Sequence, residues 1–508
     1  MTRSSPAIEA LRRLEPQLTH SRIFLGMLFL MLATKWPVIS QPPVWDGAQS
    51  VFPAAITLAR LDFDVSALLE QPGYMYGGPN IHGLSIVTWA TAVVYWSIGE
   101  RPEIVLPVLH LVHFALSAWA LTSLWRLAVH LMPADLSRCW ALAGVLSVAM
   151  CPLFSVQAGY MYLEIPILAF ASAALADWVE GRTVLAGIWT TLAALVKPPG
   201  MIIGGALALC ALLTPVASRQ RLGDVVRLAA GPLLYAGVFL LVRPHPTGSF
   251  ATWEAQLYYA GSIPDLMAVL VVFIASSAVF RPWRGVGDGD DKPARAALAS
   301  SALVVTFFTF YVVLALADTS VNLLPRYYLQ VVPVALLGTV AMVGARRPRL
   351  GVTGLIALSL FFLANRKGHF YPEADSTRFA VTERSMAYLE LADLQDQGLR
   401  ELLKLSDVDP VFYGLYEHYR IHYPAMGYDF EKPTRGHCIF FELPFRNGRL
   451  EAYPGRFHML YDAPWLGGEV MMRVAFDAKN DPGWRTHATP LQVGRFRSQL
   501  IHVRRTAP

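Results

Sequence analysis

The chain has 508 residues, of which 54% are hydrophobic and 16% are charged, and its formal net charge is +5. Because an ordinary soluble domain carries about 25% charged residues, this composition excludes a protein that is soluble throughout. The positive charge does not indicate nucleic-acid binding, since the arginines fall in short loops between apolar runs, where membrane topology accounts for them.

The deficit of charge is confined to one part of the chain. Charges are sparse and apolar runs recur within 22–364, whereas 365–508 has the composition of a soluble domain. We therefore predict a mainly α protein. It comprises a cytoplasmic segment at 1–21, a polytopic transmembrane helical bundle at 22–364 with a large outer loop at 41–103, and a C-terminal soluble α+β domain at 365–508.

The predicted spans follow from the lengths of the apolar segments. A bilayer crossing takes about 20 helical residues, and about eleven segments reach or approach that length. They are 22–40, 104–126, 139–157, 165–180, 183–196, 200–214, 228–242, 265–280, 297–317, 327–345 and 350–364. The first follows about twenty polar residues and lacks an Ala-x-Ala cleavage pattern, so it is interpreted as a retained span.

Basic residues predict which loops face the cytoplasm. By the positive-inside rule, Arg3, Arg12, Arg13 and Arg22 place the N-terminus there. If the ambiguous apolar segment 81–98 does not cross, the later basic loops lie on the same side. These loops carry Arg126, His130 and Arg138; Arg219, Arg221 and Arg227; Arg281, Arg284, Lys292 and Arg295; and Arg346, Arg347 and Arg349. The C-terminal domain is then extracytoplasmic, as in a bacterial inner-membrane protein that faces the periplasm.

The outer loop at 41–103 is predicted to contain horizontal helices. Within 48–61, the residues Val51, Ala55 and Leu58 share one helical face, which is typical of a helix lying in the membrane interface. A packing strut has the same pattern, so both interpretations stay open.

The C-terminal domain is predicted to begin with a helix at 382–405, where apolar positions alternate with charges. Short runs at 411–413, 438–441 and 470–476 are predicted strands. Several aromatic residues are candidates either for stacking on a sugar or for the domain core and its rim. They are Tyr413, Tyr416, Tyr419, Tyr423, Tyr428, Tyr453, Tyr461 and Trp465.

Cysteines and histidines give no metal or disulfide signature. Cys438 is the single cysteine of the C-terminal domain, and the histidines have no HExxH or similar spacing. We therefore predict no motif-based metal site, although a divalent cation shared between carboxylates stays open. His82, in the outer loop, is a candidate for lining a pocket, with a solvent-facing histidine as the alternative.

Four charged residues lie at the predicted outer ends of spans and therefore converge on one membrane face. They are Asp46, Glu164, Lys197 and Arg326. Ionisable groups at membrane depth are costly and usually face a cavity or a partner, so two carboxylates and two cations predict a polar site. The alternatives are a helix N-cap for Asp46 and snorkelling to lipid phosphates for Lys197 and Arg326.

These positions fall within motifs that resemble a known family. The motifs are Asp46 after the first span, Tyr76-Gly-Gly-Pro-Asn80 before the run ending at Ile98-Gly99, Gln157-x-x-x-x-Tyr-x-Glu-x-Pro166, Ala194-Leu-Val-Lys197 and Pro325-Arg-Tyr-Tyr. Together, over about residues 20–345, they resemble the GT-C superfamily of membrane glycosyltransferases. The nearest branch is the protein-mannosyltransferase-like one, which includes the aminoarabinose transferases.

The resemblance implies transfer of a sugar from a polyprenyl-phosphate donor to an acceptor on the outer side of the membrane. Asp46 matches the first-loop acidic residue of the family, and Glu164 stands where a second acidic residue is usual. Both are therefore candidate catalytic residues, with Glu164 orienting the acceptor or Asp46, or helping to bind a divalent cation. Tyr160 and Tyr327 are candidates for lining the pocket. Partners would be the donor lipid, membrane lipids and a lipid, glycan or protein acceptor.

Chemical reasoning on the same residues leads to the same reaction. A lipid phosphate leaves without a proton but needs positive charge, which Lys197 and Arg326 supply. The acceptor hydroxyl needs a base, and a partly desolvated carboxylate such as Asp46 suits that task. A single base without a covalent intermediate predicts inversion. The alternatives are a lipid-sugar flippase or transporter, and a non-catalytic scaffold of the same ancestry, because Gly47 follows Asp46 and Gly77-Gly78-Pro79 replaces a Lys-Pro-Pro motif.

Overall fold

The computed structural model describes most of the chain. The described residues are 6–44, 47–70, 85–132, 137–214, 218–242, 264–280, 292–316, 325–346, 348–364, 388–439, 450–461, 468–493 and 496–506. The chain divides into two compact units. The helical unit comprises Met1–Ile39, Leu84–Val87 and Val108–Ser385, and the sheet unit comprises Ser40–Gly83, Thr88–Pro107 and Met386–Pro508.

Nineteen α-helices lie within the described residues. They are α1 (Pro6–Leu14), α2 (His20–Lys35), α3 (Phe52–Arg60), α4 (Val65–Glu70), α5 (Ile86–Ile98), α6 (Pro102–Leu131), α7 (Ser137–Met150), α8 (Pro152–Gln157), α9 (Glu164–Val179), α10 (Thr183–Val196), α11 (Met201–Leu213), α12 (Ser218–Val242), α13 (Pro264–Phe280), α14 (Lys292–Leu316), α15 (Val332–Arg346), α16 (Pro348–Ala364), α17 (Tyr388–Leu403), α18 (Leu415–His422) and α19 (Gly468–Asn480). The strands are β1 (Val411–Tyr413), β2 (Gly436–Cys438), β3 (Arg456–Tyr461), β4 (Trp484–Val493) and β5 (Phe496–Arg505). The predicted mainly α fold with a C-terminal α+β part is confirmed at this level.

Three described helices are long and apolar enough to cross a membrane, judged by length and composition. They are His20–Val38, Pro102–Leu131 and Lys292–Val312. Shorter apolar helices of 10–17 residues occur at Ile86–Ile98, Ser137–Met150, Thr183–Val196, Pro198–Leu213, Met267–Ser277, Val332–Val343 and Thr353–Ala364. The predicted count of about eleven spans is therefore not confirmed and stays a prediction.

Prolines explain why several apolar segments are broken into shorter helices. The segment 139–157 divides into α7 and α8 at Pro152, which begins the second helix at its first position. The predicted segments 183–196 and 200–214 are separated at Lys197, whose φ of −166° and ψ of 151° are extended. A proline disfavours the α conformation for the residue before it, and Pro198 follows Lys197 directly.

Helix α9 lies at the centre of the helical unit. All of its residues except Phe170 are buried, as expected for a helix that is apolar all round. Its alanines and Ser172 allow close approach of neighbours, and the Ser172 hydroxyl donates to Ala120 O in α6 at 3.3 Å. Small residues also bring α10 against α12, because a Cβ added to Gly187 would lie 2.4 Å from Arg227 O.

The sheet unit contains a five-stranded mixed sheet in the order β2-β1-β3-β5-β4. One face packs on α19 through a core that includes Phe412, Phe457, Val474 and Val503. The other face meets α17, where a Cβ on Gly398 would lie 2.7 Å from Leu460. The segment 470–476, predicted as a strand, is helical; its apolar residues follow the helical spacing that buries Val474 and Ala478.

Segments of 41–103, the predicted outer loop, pack against the C-terminal part inside this unit. The Tyr388 hydroxyl donates to Gln41 Oε1 at 3.1 Å, and the Tyr428 hydroxyl donates to Pro43 O. The Tyr95 hydroxyl, in α5, donates to Ala425 O at 3.0 Å. Helix α5 has 13 residues, about 20 Å at 1.5 Å per residue, and is shorter than the hydrocarbon core of about 30 Å.

Candidate functional site

Glu164 occupies the first turn of the central helix α9. Its position places a negative charge near the positive end of the helix dipole, which is favourable. The residue is 2% exposed. A carboxylate this deeply buried requires positive or hydrogen-bonding partners, because desolvation penalises its charge.

Lys197 lies at the break between α10 and α11. The extended conformation imposed by Pro198 ends α10 and directs the chain into a 3₁₀ turn at Pro198–Gly200. That turn is tightly packed, since a Cβ on Gly200 would lie 1.9 Å from Ala193 O. The lysine is 9% exposed, so the turn holds an almost buried ammonium group at a set position.

Arg326 lies in a 3₁₀ helix, Pro325–Gln330, directly before α15. It is 5% exposed. Its guanidinium carbon lies 5.4 Å from the Tyr162 ring centre and 5.3 Å from the Tyr327 ring centre. These distances are within the range of cation–π attraction.

The three residues form one ion cluster, which we call the Glu164 cluster. Lys197 Nζ donates to Glu164 Oε1 at 3.0 Å, and Arg326 Nε lies 3.5 Å from the same oxygen. Lys197 Nζ also lies 4.7 Å from the Tyr327 ring centre. Residues separated by more than 160 positions of sequence are thus held together by one carboxylate and one aromatic ring.

The charges of the Glu164 cluster determine which ligand suits it. Its described members are two cations and one carboxylate, a net charge of +1. Positive charge held in a water-poor environment stabilises an anion or a developing negative charge. The same charge does not suit a divalent cation at Glu164, and the described residues contain no group of three His, Cys, Asp or Glu that would hold a metal.

Other predicted site residues have mixed outcomes. Tyr160 is 2% exposed, and its ring centre lies 5.0 Å from that of Tyr162. It therefore adjoins the ring that lies next to Arg326. Tyr327 contacts both cations. Asp46 and His82 lie outside the described residues, and their roles stay predictions.

Three further polar residues of the helical unit were not singled out from the sequence. Tyr162 lies two positions before Glu164, within the motif itself. Lys35 is 2% exposed, and its Nζ donates to Ser155 Oγ in α8 at 2.6 Å. His113 donates from Nε2 to Gln157 O at 3.0 Å. A lysine inside an apolar run was the available signal for Lys35.

A second charge cluster lies at the opposite end of α9. Arg126 donates to Asp177 and, at 3.1 Å, to Glu180 Oε1. Arg182 donates to Asp177 at 2.6 Å and also contacts Glu180. The Trp189 indole donates to Asp177 Oδ2 at 2.7 Å. The charges of two arginines and two carboxylates balance here. We call these residues the Asp177 cluster and compare the Glu164 cluster with it.

Comparison with known proteins gives remote structural similarities. No family model matches the chain, and no curated protein matches it. Among solved structures, it is similar to the archaeal oligosaccharyltransferase AglB from Archaeoglobus fulgidus, in complex with an inhibitory peptide and a dolichol-phosphate. The identity is 11% and the TM-score 0.45, over 92% of this chain and 72% of that chain.

It is also similar to ArnT from Cupriavidus metallidurans in the apo state, with 14% identity and a TM-score of 0.37. That match covers 94% of this chain and 97% of the other.

Proposed function

We propose that the protein is a multi-pass membrane glycosyltransferase. It moves a sugar from a polyprenyl-phosphate donor to an acceptor hydroxyl of a lipid, polysaccharide or protein on the outer side of the membrane. The observation that supports this most is the pair of nearly buried cations, Lys197 and Arg326, held side by side on Glu164.

The two cations suit the phosphate of the donor. A donor phosphodiester carries one negative charge, and cleavage of the bond between the anomeric carbon and the phosphate oxygen leaves a more negative phosphate monoester. Lys197 and Arg326 favour that product and the transition state leading to it. An arginine guanidinium binds a phosphate through two hydrogen bonds, whereas a lysine acts as a point charge.

Glu164 and the tyrosines act on the cations and not on the sugar in this proposal. Glu164 keeps two like charges within one small volume, and the rings of Tyr162 and Tyr327 offer further attraction to Arg326. Held in this way, the cations need little rearrangement when the phosphate becomes more negative, which is the condition for electrostatic catalysis.

Asp46 is assigned the role of general base, on the family resemblance. It takes the proton of the acceptor hydroxyl as the acceptor oxygen bonds to the anomeric carbon and the electron pair passes to the phosphate. This single displacement inverts the anomeric configuration. The predicted topology, with about eleven spans, a cytoplasmic N-terminus and an extracytoplasmic C-terminal domain, places this chemistry on the outer side.

The proposal is tested by sugar transfer from a panel of labelled polyprenyl-phosphate sugars in proteoliposomes. Asp46→Asn should abolish transfer without loss of folded protein. Lys197→Ala and Arg326→Ala should weaken binding of the donor by at least tenfold, since each removes a charged hydrogen-bond donor. Arg126→Gln is the matched control. It removes a mostly buried arginine of α6 that pairs with Asp177, at the end of α9 opposite to Glu164.

Each part of the proposed function is contradicted by a different result. Substantial turnover by Asp46→Asn would show that Asp46 is not the general base. Unchanged donor binding by both cation variants would show that Lys197 and Arg326 do not bind the donor phosphate. Movement of the lipid-linked sugar across the bilayer without transfer would indicate the flippase alternative. A protein that neither transfers nor moves any donor would indicate a scaffold.

A further inference from the structure

Two rows of basic residues lie on one face of the C-terminal sheet. In the antiparallel register, Arg504 of β5 is directly opposite Arg456 of β3 and Arg485 of β4. Two positions along, His502 of β5 is directly opposite His458 of β3 and His487 of β4. Directly opposed residues share a face and alternate residues stay on it. We call these six residues the Arg–His grid.

The grid is unfavourable for the stability of the sheet. Like charges directly opposite each other destabilise neighbouring strands. Charged residues are often found on edge strands, where they prevent edge-to-edge pairing. That explanation covers Arg485, because β4 is an edge strand, but not Arg456 and Arg504, whose strands β3 and β5 lie inside the sheet. A local conflict of this kind is expected at a functional site.

Contacts within the grid hold its histidine row in place. Asp409 Oδ2 accepts from His458 Nε2 at 3.0 Å, which leaves His458 Nδ1 as an acceptor for His502 Nδ1, 2.9 Å away. His502 Nε2 then accepts from the Thr489 hydroxyl at 3.0 Å. Asp409 also pairs with Arg456 at 2.8 Å.

The outer part of the grid has no such partners. Among the residues that the structure describes, Arg485 and Arg504 have no ion pair or hydrogen bond from their side chains, and both are exposed. Asp409 is the one carboxylate that contacts the grid within the described chain. Three guanidinium groups against one carboxylate leave this face positive even when all three histidines are neutral.

The geometry fits an anion with two neighbouring negative groups. Strands are about 4.8 Å apart, so the arginine row spans about 10 Å, and the histidine row runs parallel to it about 7 Å away. Guanidinium groups bind phosphate through paired hydrogen bonds, so a row of three arginines at this spacing suits two neighbouring phosphates.

We propose that the Arg–His grid is a binding site for a ligand that carries two neighbouring phosphate groups. The arginine row binds the phosphates. His502, which is oriented by the hydrogen bonds that run through His458 to Asp409, lies beside them. Its residues belong to the sheet unit and those of the Glu164 cluster to the helical unit, and the proposal does not depend on the proposed glycosyl transfer.

Inorganic pyrophosphate is the probe, measured by titration calorimetry on the full-length protein in detergent micelles. Wild-type protein should bind pyrophosphate at least tenfold more tightly than inorganic phosphate. Arg504→Gln and Arg485→Gln should each weaken pyrophosphate binding by about tenfold or more, as expected for loss of a charged hydrogen bond. Arg497→Gln should change it less than twofold, because Arg497 lies on β5 but on the opposite face.

A stability measurement keeps the result interpretable. Removing Arg504 relieves repulsion between opposed arginines, so the thermal midpoint of Arg504→Gln should be equal to or higher than that of wild type while its affinity falls. Short-chain prenyl diphosphate in the same assay distinguishes the ligand source: tighter binding than pyrophosphate indicates a lipid-linked diphosphate, and equal binding indicates that the phosphates alone are recognised. Absence of pyrophosphate binding at millimolar concentration, or equal loss in Arg497→Gln, would overturn the site.

Discussion

Replacing Glu164 by glutamine should lower the stability of the protein and raise its affinity for a lipid phosphate. Glu164 Oε1 lies 3.0 Å from Lys197 Nζ and 3.5 Å from Arg326 Nε. At an effective dielectric constant of about 20, each of these attractions amounts to about 5 kcal/mol before desolvation. Removing one member of a buried ion pair costs about 3–5 kcal/mol, because the remaining charges stay buried.

The same substitution should act on ligand binding with the opposite sign. The carboxylate that holds the two cations also repels an incoming phosphate. If the phosphate binds beyond the cations, about 6 Å from Glu164, this repulsion is about 3 kcal/mol at the same dielectric constant. Glu164→Gln should therefore strengthen binding of undecaprenyl phosphate by about ten- to a hundredfold, measured by fluorescence titration in micelles.

Asp177→Asn is the matched control for this experiment. It also removes a buried carboxylate that holds two cations, Arg126 and Arg182, but at the opposite end of α9. Unfolding in mixed detergent micelles should show a similar loss of stability for both variants, whereas only Glu164→Gln should gain affinity. A parallel loss of affinity in both variants would refute the phosphate-binding role of the Glu164 cluster and leave it as a structural ion pair.

Two further predictions concern the turn at Lys197 and the sheet unit. Gly200→Ala should weaken donor binding, because the added Cβ would lie 1.9 Å from Ala193 O and displace the turn that positions Lys197; an unchanged donor affinity in the transfer assay would contradict this. Burial, with a smaller effect of His422, lowers the pKa of His418 to about 3. The unfolded chain then takes up the proton first as pH falls below about 6.5, so the free energy of unfolding should drop by about 2 kcal/mol between pH 7.5 and pH 5. His418→Gln should flatten that slope in denaturant titrations, and an equal slope in wild type and variant would count against the assignment.

Much of the helical unit could be predicted from the sequence because its signals are local. The lengths of the apolar segments indicate the helices, and prolines indicate where they break. The distribution of basic residues between loops predicts which segment ends lie on the same side of the membrane. The last of these predicted that Glu164, Lys197 and Arg326 share one region, and in the structure Lys197 Nζ and Arg326 Nε lie 3.0 Å and 3.5 Å from the same Glu164 oxygen. The spacing of apolar and charged residues was insufficient to separate helix from strand at 470–476.

Features that depend on long-range pairing could not be predicted. The packing of α5 and residues 41–43 against the C-terminal part rests on single tyrosine hydroxyls, such as those of Tyr95 and Tyr388, which bond groups more than 300 positions away. The Arg–His grid requires the exact strand register, because a shift of one residue would move each row to the other face. Neither feature has a signature in a single sequence.

The two clusters on α9 differ in a way that bears on function. Glu164 and Asp177 are 13 positions apart on one helix, about 20 Å at 1.5 Å per residue, so the helix fixes both with little freedom. At the Asp177 end, two arginines meet two carboxylates. At the Glu164 end, the described members are two cations and one carboxylate. In the proposed function, the donor phosphate adds negative charge to this cluster when it binds. Asp46→Asn should then lower turnover and leave the stability unchanged, because the substitution removes a general base, whereas a fall of several kcal/mol in the unfolding free energy would indicate a structural role for Asp46 instead.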